Sequence, residues 1–486
     1  MKISKTNAEY NKSLSDTYLG NPLIEALPPM AGESALNQFV MLPADNVKSD
    51  RTKDKSQRIP LCENLFDTII PTEFFWPLYQ IMYSMLYNSY KGRNPLQVET
   101  IAFQYDLALH KKVVDEQWSR TSGGGCLIVA PSGFGKSTLI ERTLSTIPTV
   151  IRHDYDGFKC IQITHIFIKI PSDAARKGLM KAFFKEVDRC VGTTYLKDHK
   201  SASIAEFEEL FETICSTYHV GIIVIDDLQN LNLAKGGGEQ AVLNLLSALS
   251  NSIGVGIIKI GTPDATKMFD CSFTSIRRAT TAGDYFIERY KKEDSTWLFM
   301  VSALWSFQWT KISTANELVS YDEAGIKVKD PELFQLIYDY SQGVPYLLNF
   351  LFVSAQKWAI SNDYEKLDKK SIIEGHLNSS SLIQVAVEAI RNGEEDNFND
   401  MLIVSKNIHK ASKVQAIERL ESIIRSKNYL GQSATKIIKI IDEITCNYTL
   451  SSKERVFIEK ARNELQESAK SINNPVTINS TCEKSR

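Results

Sequence analysis

Apolar and polar positions fall into distinct regimes along the chain. Residues 1 to about 60 show no sustained periodicity. They are polar, interrupted by Pro22, Pro28, Pro29 and Pro43, and predict an extended arm rather than a folded domain. Phe74–Tyr87 follows as a dense aromatic segment, predicted to hold a buried or interface helix starting after Pro77, with core packing the favoured role, and residues 105–120 predict another helix. From Gly125 onward, apolar runs of strand length alternate with stretches of helical period. The runs Cys126–Ala130, Ile161–Ile170, Gly221–Ile225 and Val255–Ile260 predict four strands, and Tyr285–Ile287 a fifth. Ser137–Leu144, Ala174–Cys190, Ile204–Tyr218 and Gln240–Ser250 predict the helices between them. Near-continuous apolar strands separated by helices imply a parallel sheet covered on both faces, an α/β fold of the doubly wound kind. Residues 291–380 predict an all-helical second domain, strongly aromatic over Trp297–Trp309. After Ser379 the helical pattern continues with more charge and ends in a loose polar tail.

Composition narrows the class. The 486 residues are 43% hydrophobic and 23% charged, which excludes wholesale disorder and collagen-like repeats. A net charge of -2 announces no global affinity for nucleic acid, although residues 400–486 hold fifteen Lys or Arg against ten Asp or Glu. The eight cysteines are scattered, with no Cys-x-x-Cys pair, so neither a zinc framework nor a disulfide scaffold is expected; such thiols suit a reducing cytoplasm. The longest apolar runs are strand-length, so no membrane span is expected, and the polar opening of the chain does not read as a signal peptide.

The chemistry is concentrated in a few motifs. Ala130-Pro131-Ser132-Gly133-Phe134-Gly135-Lys136-Ser137, with Thr138 next, matches a phosphate loop whose first Gly is replaced by Ala. Backbone N–H groups of such a loop wrap phosphates, and the following helix N-terminus adds its dipole. Lys136 is placed for the β- and γ-phosphates and the Ser137 hydroxyl for Mg2+. Ninety residues beyond Lys136, the strand Gly221-Ile222-Ile223-Val224-Ile225 ends in Asp226-Asp227. Asp226 is the expected metal partner, through a water, and Asp227 the group that polarises the attacking water. Thr262, after the fourth strand, is placed for the γ-phosphate or the water, the alternative being a cap on the next helix. Arg277 and Arg278 are candidates for fingers that reach a neighbouring subunit's γ-phosphate, the alternative being a solvated basic pair.

Together these motifs resemble an AAA+ P-loop ATPase: a five-stranded parallel sheet, a helical lid, and irregular or helical terminal extensions. More narrowly, the chain resembles the TnsC/TniB family, ATP-dependent regulators of heteromeric DNA transposition. The resemblance is carried by Gly20-Asn21-Pro22-Leu23-Ile24-Glu25-Ala26-Leu27-Pro28-Pro29, Gly92-Arg93-Asn94-Pro95, Val224–Leu231, Ile260-Gly261-Thr262-Pro263 and Ser341-Gln342-Gly343-Val344. It spans roughly residues 15 to 390 and implies ATP and Mg2+ as cofactors. The implied partners are double-stranded DNA, transposase subunits and a target-selector protein of the TniQ or TnsD kind. A ring or helical homo-oligomer in the bacterial cytoplasm is implied, and no membrane. Two departures stand out. Asp227 replaces the family's usual Glu, which implies slow turnover, regulated by DNA. The lid segment Gly343–Asn349 also lacks the Arg that many AAA+ proteins carry there.

In such assemblies the loops after the second and third strands face the pore. They make Lys169, Ser172, Arg176, Lys177 and Lys235, beside Gly236-Gly237-Gly238, the candidate DNA contacts. For each lysine a solvated face is the competing reading. The expected organisation is 1–100 as a partner-binding extension, 101–290 as the ATPase core, 291–380 as the lid, and 381–486 as a transposase-binding region and tail. Alternatives are an origin-binding or helicase-loading AAA+ ATPase, a small-molecule phosphotransferase, and a nucleotide-locked scaffold. The first requires a C-terminal recognition helix and the second an Arg-rich lid; neither pattern is present in the sequence.

Overall fold

A computed structural model describes residues 3–33, 47–70, 72–109, 123–155, 157–170, 176–233, 246, 250, 253–269, 273–322, 325–392, 441, 445 and 455–463. Among them are ten strands: β1 (Lys5–Asn7), β2 (Gly125–Val129), β3 (Val150–Tyr155), β4 (Phe158–Ile163), β5 (His165–Lys169), β6 (Ile222–Asp226), β7 (Gly256–Gly261), β8 (Gly283–Phe286), β9 (Val319–Asp322) and β10 (Gly325–Val328). Five form one parallel sheet in the order β5-β6-β7-β2-β8. Every residue of β2, β6 and β7 is buried, as unbroken apolar runs in a parallel sheet require. Parallel pairing brings the carboxyl ends of these strands to one edge. Val129 lies opposite Gly261 and Phe286, and Asp226 opposite Lys169. The residues that follow β2, β6 and β7 therefore emerge side by side, where ligands of open α/β sheets bind.

The second predicted strand divides in two. Ile161–Ile170 breaks at Thr164, whose hydroxyl donates to Pro148 O (2.6 Å). β4 pairs antiparallel with β3 in a small sheet completed by β1, while β5 joins the main sheet. The lid also departs from an all-helical expectation, since β9 and β10 form an antiparallel hairpin within it.

Residues 3–33, 47–70 and 72–100 are integrated with both halves of the fold rather than standing apart as an arm. Leu23 and Ile24 are buried with Phe75, Leu78, Met82 and Leu86 of the helix Phe75–Lys91, in the core that includes Ile128, Val224 and Ile258 of the main sheet. The aromatic segment thus packs in a core, as its pattern predicts, but its helix begins at Phe75 rather than after Pro77, which sits in the first turn where a missing N–H costs nothing. Cys62, Leu65 and Ile70 belong instead to the lid core, with Trp297, Trp305, Trp309 and Phe352. Polar clamps secure both attachments. Asn94 Nδ2 donates to Gly20 O (2.9 Å), Asn21 Nδ2 to Tyr90 O (2.8 Å) and Gln162 Nε2 to Leu23 O (2.9 Å). Arg58, fully buried, donates to both oxygens of Glu365 (2.7 and 2.6 Å) and to Trp309 O (2.9 Å). A buried guanidinium is tolerable only when paired in this way.

The helix Ser381–Arg391 packs Val387 and Ile390 against Val344 and Leu347 of the lid, inside a first compact unit that runs to Leu402. In the second unit, residues 403–486, the described residues 455–463 are helical and bury Ile458 and Ala461. Among the described residues no helix is long and apolar enough to cross a membrane.

Candidate nucleotide site

The phosphate loop connects β2 to the helix Lys136–Ser145. Gly133 (φ +79°) and Gly135 (φ +73°) stand in the left-handed region, which turns successive N–H groups inward and excludes most side chains. Lys136 Nζ donates to Ala130 O (2.8 Å) and Pro131 O (3.0 Å), folding back over the loop it serves. Ser137 Oγ donates to Asp226 Oδ2 (2.5 Å), so the two residues expected to share a metal are in direct contact. Ser137 and Asp226 supply hard oxygen donors, which suit Mg2+, a cation that keeps several waters and takes few protein ligands. Among the described residues no group of three His, Cys, Asp or Glu is gathered for another metal. Asp226 is 1% exposed. Burial raises its pKa above the ordinary aspartate value; the Ser137 hydrogen bond opposes this, and the Asp227 charge adds to it.

Asp227 occupies the left-handed region (φ +59°), which a short side chain that bonds its own backbone accepts most readily. This turn carries its carboxylate off the strand axis and into a relay. Gln229 Nε2 donates to Asp227 Oδ1 (3.2 Å), and Gln229 Oε1 accepts from the Thr262 N–H (3.1 Å). The Thr262 hydroxyl is buried without a partner, so it does not cap the following helix. A buried hydroxyl with nothing to bond is rare, and this one belongs to the residue whose N–H is joined through Gln229 to Asp227. Strand position thus brings Lys136, Ser137, Asp226, Asp227 and Thr262 together. Gln229 was not foreseen, because a lone Gln in a 3-10 turn has no sequence signature.

The lid closes over the loop. Gly343 (φ +69°) admits the chain against Tyr290, where a Cβ would lie 1.9 Å from the Tyr290 carbonyl oxygen. The next helix, Pro345–Ser361, then directs its first turn at the loop, and the Tyr346 N–H donates to Gly133 O (3.1 Å). A Cβ on Gly133 would meet Tyr346 Cβ at 3.0 Å. Phe134 stacks on Tyr290 with centroids 5.8 Å apart. A cavity of about 290 Å³ opens between loop, lid and the segment 66–74, lined by Lys136, Thr138, Phe66, Ile69, Tyr346 and Asn349 among others. Sequence reasoning missed these last four residues, since nothing in the pattern shows that residues 66–74 return to the loop.

The remaining candidates lie elsewhere. Arg277 and Arg278 end the helix Phe273–Ala279, exposed, just before β8 at one edge of the sheet. Lys169 ends β5 at the other edge, beside Asp226 and exposed. Lys177 is committed within the chain: its Nζ donates to Ala202 O (2.6 Å) and lies 5.4 Å from the centre of the Phe207 ring. Arg176 begins the helix Arg176–Val191, with its side chain outside the described residues. Ser172 and Lys235 also lie outside the described residues.

Residues 119–269 match the family model described as an AAA domain. No curated protein matches the sequence. Among solved structures the chain is similar to the Walker-type ATPase PABY2304 of Pyrococcus abyssi, at 14% identity and a TM-score of 0.36, over 70% of this chain and 84% of that one. It is also similar to the ORC2 protein of Aeropyrum pernix in ADPNP–ADP complexes (11%, TM-score 0.35, 76% and 87%). A third is Cdc6p of Pyrobaculum aerophilum (14%, TM-score 0.35, 76% and 86%). The domain match, the sheet order and the phosphate loop define an AAA+ P-loop fold.

Proposed function

We propose that this AAA+ P-loop protein binds and hydrolyses ATP, assembles on double-stranded DNA in its ATP state, and regulates DNA transposition. The observation that carries the ATPase reading is the Ser137–Asp226 hydrogen bond at 2.5 Å, with the Asp227–Gln229–Thr262 relay beside it. The β- and γ-phosphates bind to loop N–H groups and to Lys136, which exchanges its two carbonyl partners for phosphate oxygens. Ser137 and Asp226 are the residues that would hold Mg2+, which would supply positive charge against the phosphates. Asp227 accepts a proton from water as its oxygen bonds to the γ-phosphorus and the bond to the ADP oxygen breaks. Thr262 donates its free hydroxyl to the γ-phosphate or the water. Arg277 or Arg278, exposed at the β8 edge, completes a neighbour's site in the oligomer.

The transposition reading rests on motifs rather than on the ATPase site. The two short N-terminal motifs that resemble the TnsC/TniB family meet in space, where Asn94 holds Gly20. On this reading the chain links a target selector to transposase subunits through its N- and C-terminal regions. The basic balance of residues 400–486 favours the C-terminal region for the transposase. DNA is bound through phosphates, without base reading, by Lys169, by Arg176 at the start of its helix, and by Ser172 and Lys235.

The experiment is steady-state ATP hydrolysis with and without duplex DNA, together with DNA binding in ATP, ADP and a non-hydrolysable analogue. ATP-dependent binding that is indifferent to sequence and falls with salt at a slope of about -0.9 per phosphate contact is expected. Nucleotide-independent binding, or strong preference for one sequence, overturns it. Truncation before Asn392 is expected to keep ATP-dependent DNA assembly and to lose transposase recruitment.

A further inference from the structure

One margin of the main sheet is left open. β5 ends the sheet and pairs only with β6. The Ile222 N–H donates to Thr164 O (3.0 Å), and the Ile170 N–H to Asp226 O (3.0 Å). Alternate residues of a parallel strand bond to the same neighbour, so Ile166 and Ile168 also face β6. The main-chain groups of Phe167 and Lys169 then point outward. Among the described residues nothing pairs with them there. The small sheet reaches only the start of β5, where the Thr164 N–H donates to Thr149 O (3.0 Å). A cavity of about 580 Å³ lies against this edge, lined by Thr149, by Phe167 and Lys169, and by Gly178, Lys181 and Lys185 of the helix Arg176–Val191. A Cβ on Gly178 would meet nothing within 4 Å, so the space beside it is free. Lys181 and Lys185 stand one helical turn apart, both exposed, and neither forms an ion pair among the described residues. Arg189, next along that stripe, is paired with Glu186. Glu141 is the other carboxylate in the lining, so the cavity carries an excess of positive charge.

We infer that the outer edge of β5 receives an extended acidic segment of a partner protein as an added strand. The Phe167 N–H donates to a carbonyl of that segment, and Phe167 O accepts from one of its N–H groups, which continues the sheet by one strand. Side chains of an added strand alternate between its two faces. Those facing the helix Arg176–Val191 meet Lys181 and Lys185, which favour Asp or Glu and repel Lys or Arg. Ile166, Ala182 and Leu196 make the rest of the lining suit aliphatic neighbours. A second copy of this chain does not fit, because pairing β5 with itself sets lysine against lysine. Nucleic acid meets half of the need: its phosphates accept from N–H groups and offer nothing to the carbonyls, whereas a peptide strand serves both. Lys169, proposed above for DNA, is not required, and the inference stands apart from the nucleotide reading.

The probe is a short fluorescein-labelled peptide of alternating glutamate and valine, titrated against the full chain by fluorescence anisotropy. Its counterpart with lysine for glutamate is expected to bind at least about tenfold more weakly. The same acidic peptide N-methylated at every residue keeps its side chains and charge but loses its N–H donors, and is expected to bind at least about tenfold more weakly, the size of one or two hydrogen bonds. Lys181→Glu with Lys185→Glu changes only exposed side chains. It is expected to weaken the acidic peptide by about tenfold and to strengthen the lysine peptide, a reversal that loss of folding does not produce. No binding of the acidic peptide up to about 1 mM overturns the inference. So does equal binding of the N-methylated form, which together with displacement by duplex DNA identifies a polyanion site instead. An unchanged charge preference in the double variant also overturns it.

Discussion

Replacing Asp227 with Asn isolates the proposed base from everything else at the site. The two side chains have the same shape, and Asn accepts the left-handed backbone at φ +59° as Asp does. Asn Oδ1 still accepts from Gln229 Nε2, so the link from residue 227 to the Thr262 N–H survives. The Ser137–Asp226 hydrogen bond does not involve the changed atoms, and loss of the Asp227 charge only relieves its upward push on the Asp226 pKa. Stability and ATP affinity are therefore expected to move by no more than about 0.5 kcal/mol. What disappears is the proton acceptor, because a carboxamide does not take a proton from water near neutral pH. A positioned general base contributes about 10²–10⁴ in rate, or roughly 3–5.5 kcal/mol of barrier. Single-turnover hydrolysis with protein in excess over ATP reads the chemical step, and calorimetry reads the affinity. Protein–DNA assemblies in ATP are expected to outlast those of wild type. A chemical rate within about threefold of wild type refutes the assignment, because a base contributes at least ~10². A large loss of ATP affinity refutes the claim that Asp227 acts on the transition state alone.

Three further outcomes are expected. Lys136→Ala removes the cation from the phosphates and is expected to weaken ATP binding by about 2–4 kcal/mol; near-normal affinity by calorimetry counts against the phosphate-loop assignment. Burial is the largest single influence on Glu365 and pushes its pKa up, but the Arg58 hydrogen bonds, the Lys311 N–H and the positive charges of Arg58 and Lys311 together outweigh it and hold the carboxyl below its ordinary value. The stability that this pair contributes is thus complete above the unfolded glutamate pKa of about 4.3 and is lost as pH falls through the lower folded value. Glu365→Gln strands the buried Arg58 charge and is expected to cost about 3–5 kcal/mol in chemical denaturation at pH 7, with the gap to wild type closing in acid. Arg277→Ala or Arg278→Ala is expected to lower DNA-stimulated turnover by about 10³-fold or more while leaving ATP binding unchanged. Mixing that variant with Lys136→Ala chains is expected to recover turnover, since each supplies what the other lacks; no recovery argues against a finger acting across subunits.

The nucleotide site was legible in the sequence to the extent that it depends on local chemistry. A strand, a Gly-rich turn and a helix in immediate succession determine where Lys136 and Ser137 stand, and an apolar run ending in two carboxylates determines Asp226 and Asp227. Parallel pairing then brings the two segments together whatever the intervening residues do. Strand periodicity also marks β2, β6 and β7 because both their faces are buried. Contacts that join distant segments without periodicity were not legible. The polar, proline-broken first sixty or so residues read as an arm, yet Leu23 and Ile24 are buried against the helix Phe75–Lys91, and Arg58 is buried against Glu365, 307 residues away. Lys177 was a plausible DNA contact until the fold brought Ala202 within reach of its amine. Gln229 acquires its meaning only from what surrounds it, because an amide side chain has no pattern of its own. Its role comes from the partners that the chain brings within about 3 Å: Asp227 and the Thr262 N–H.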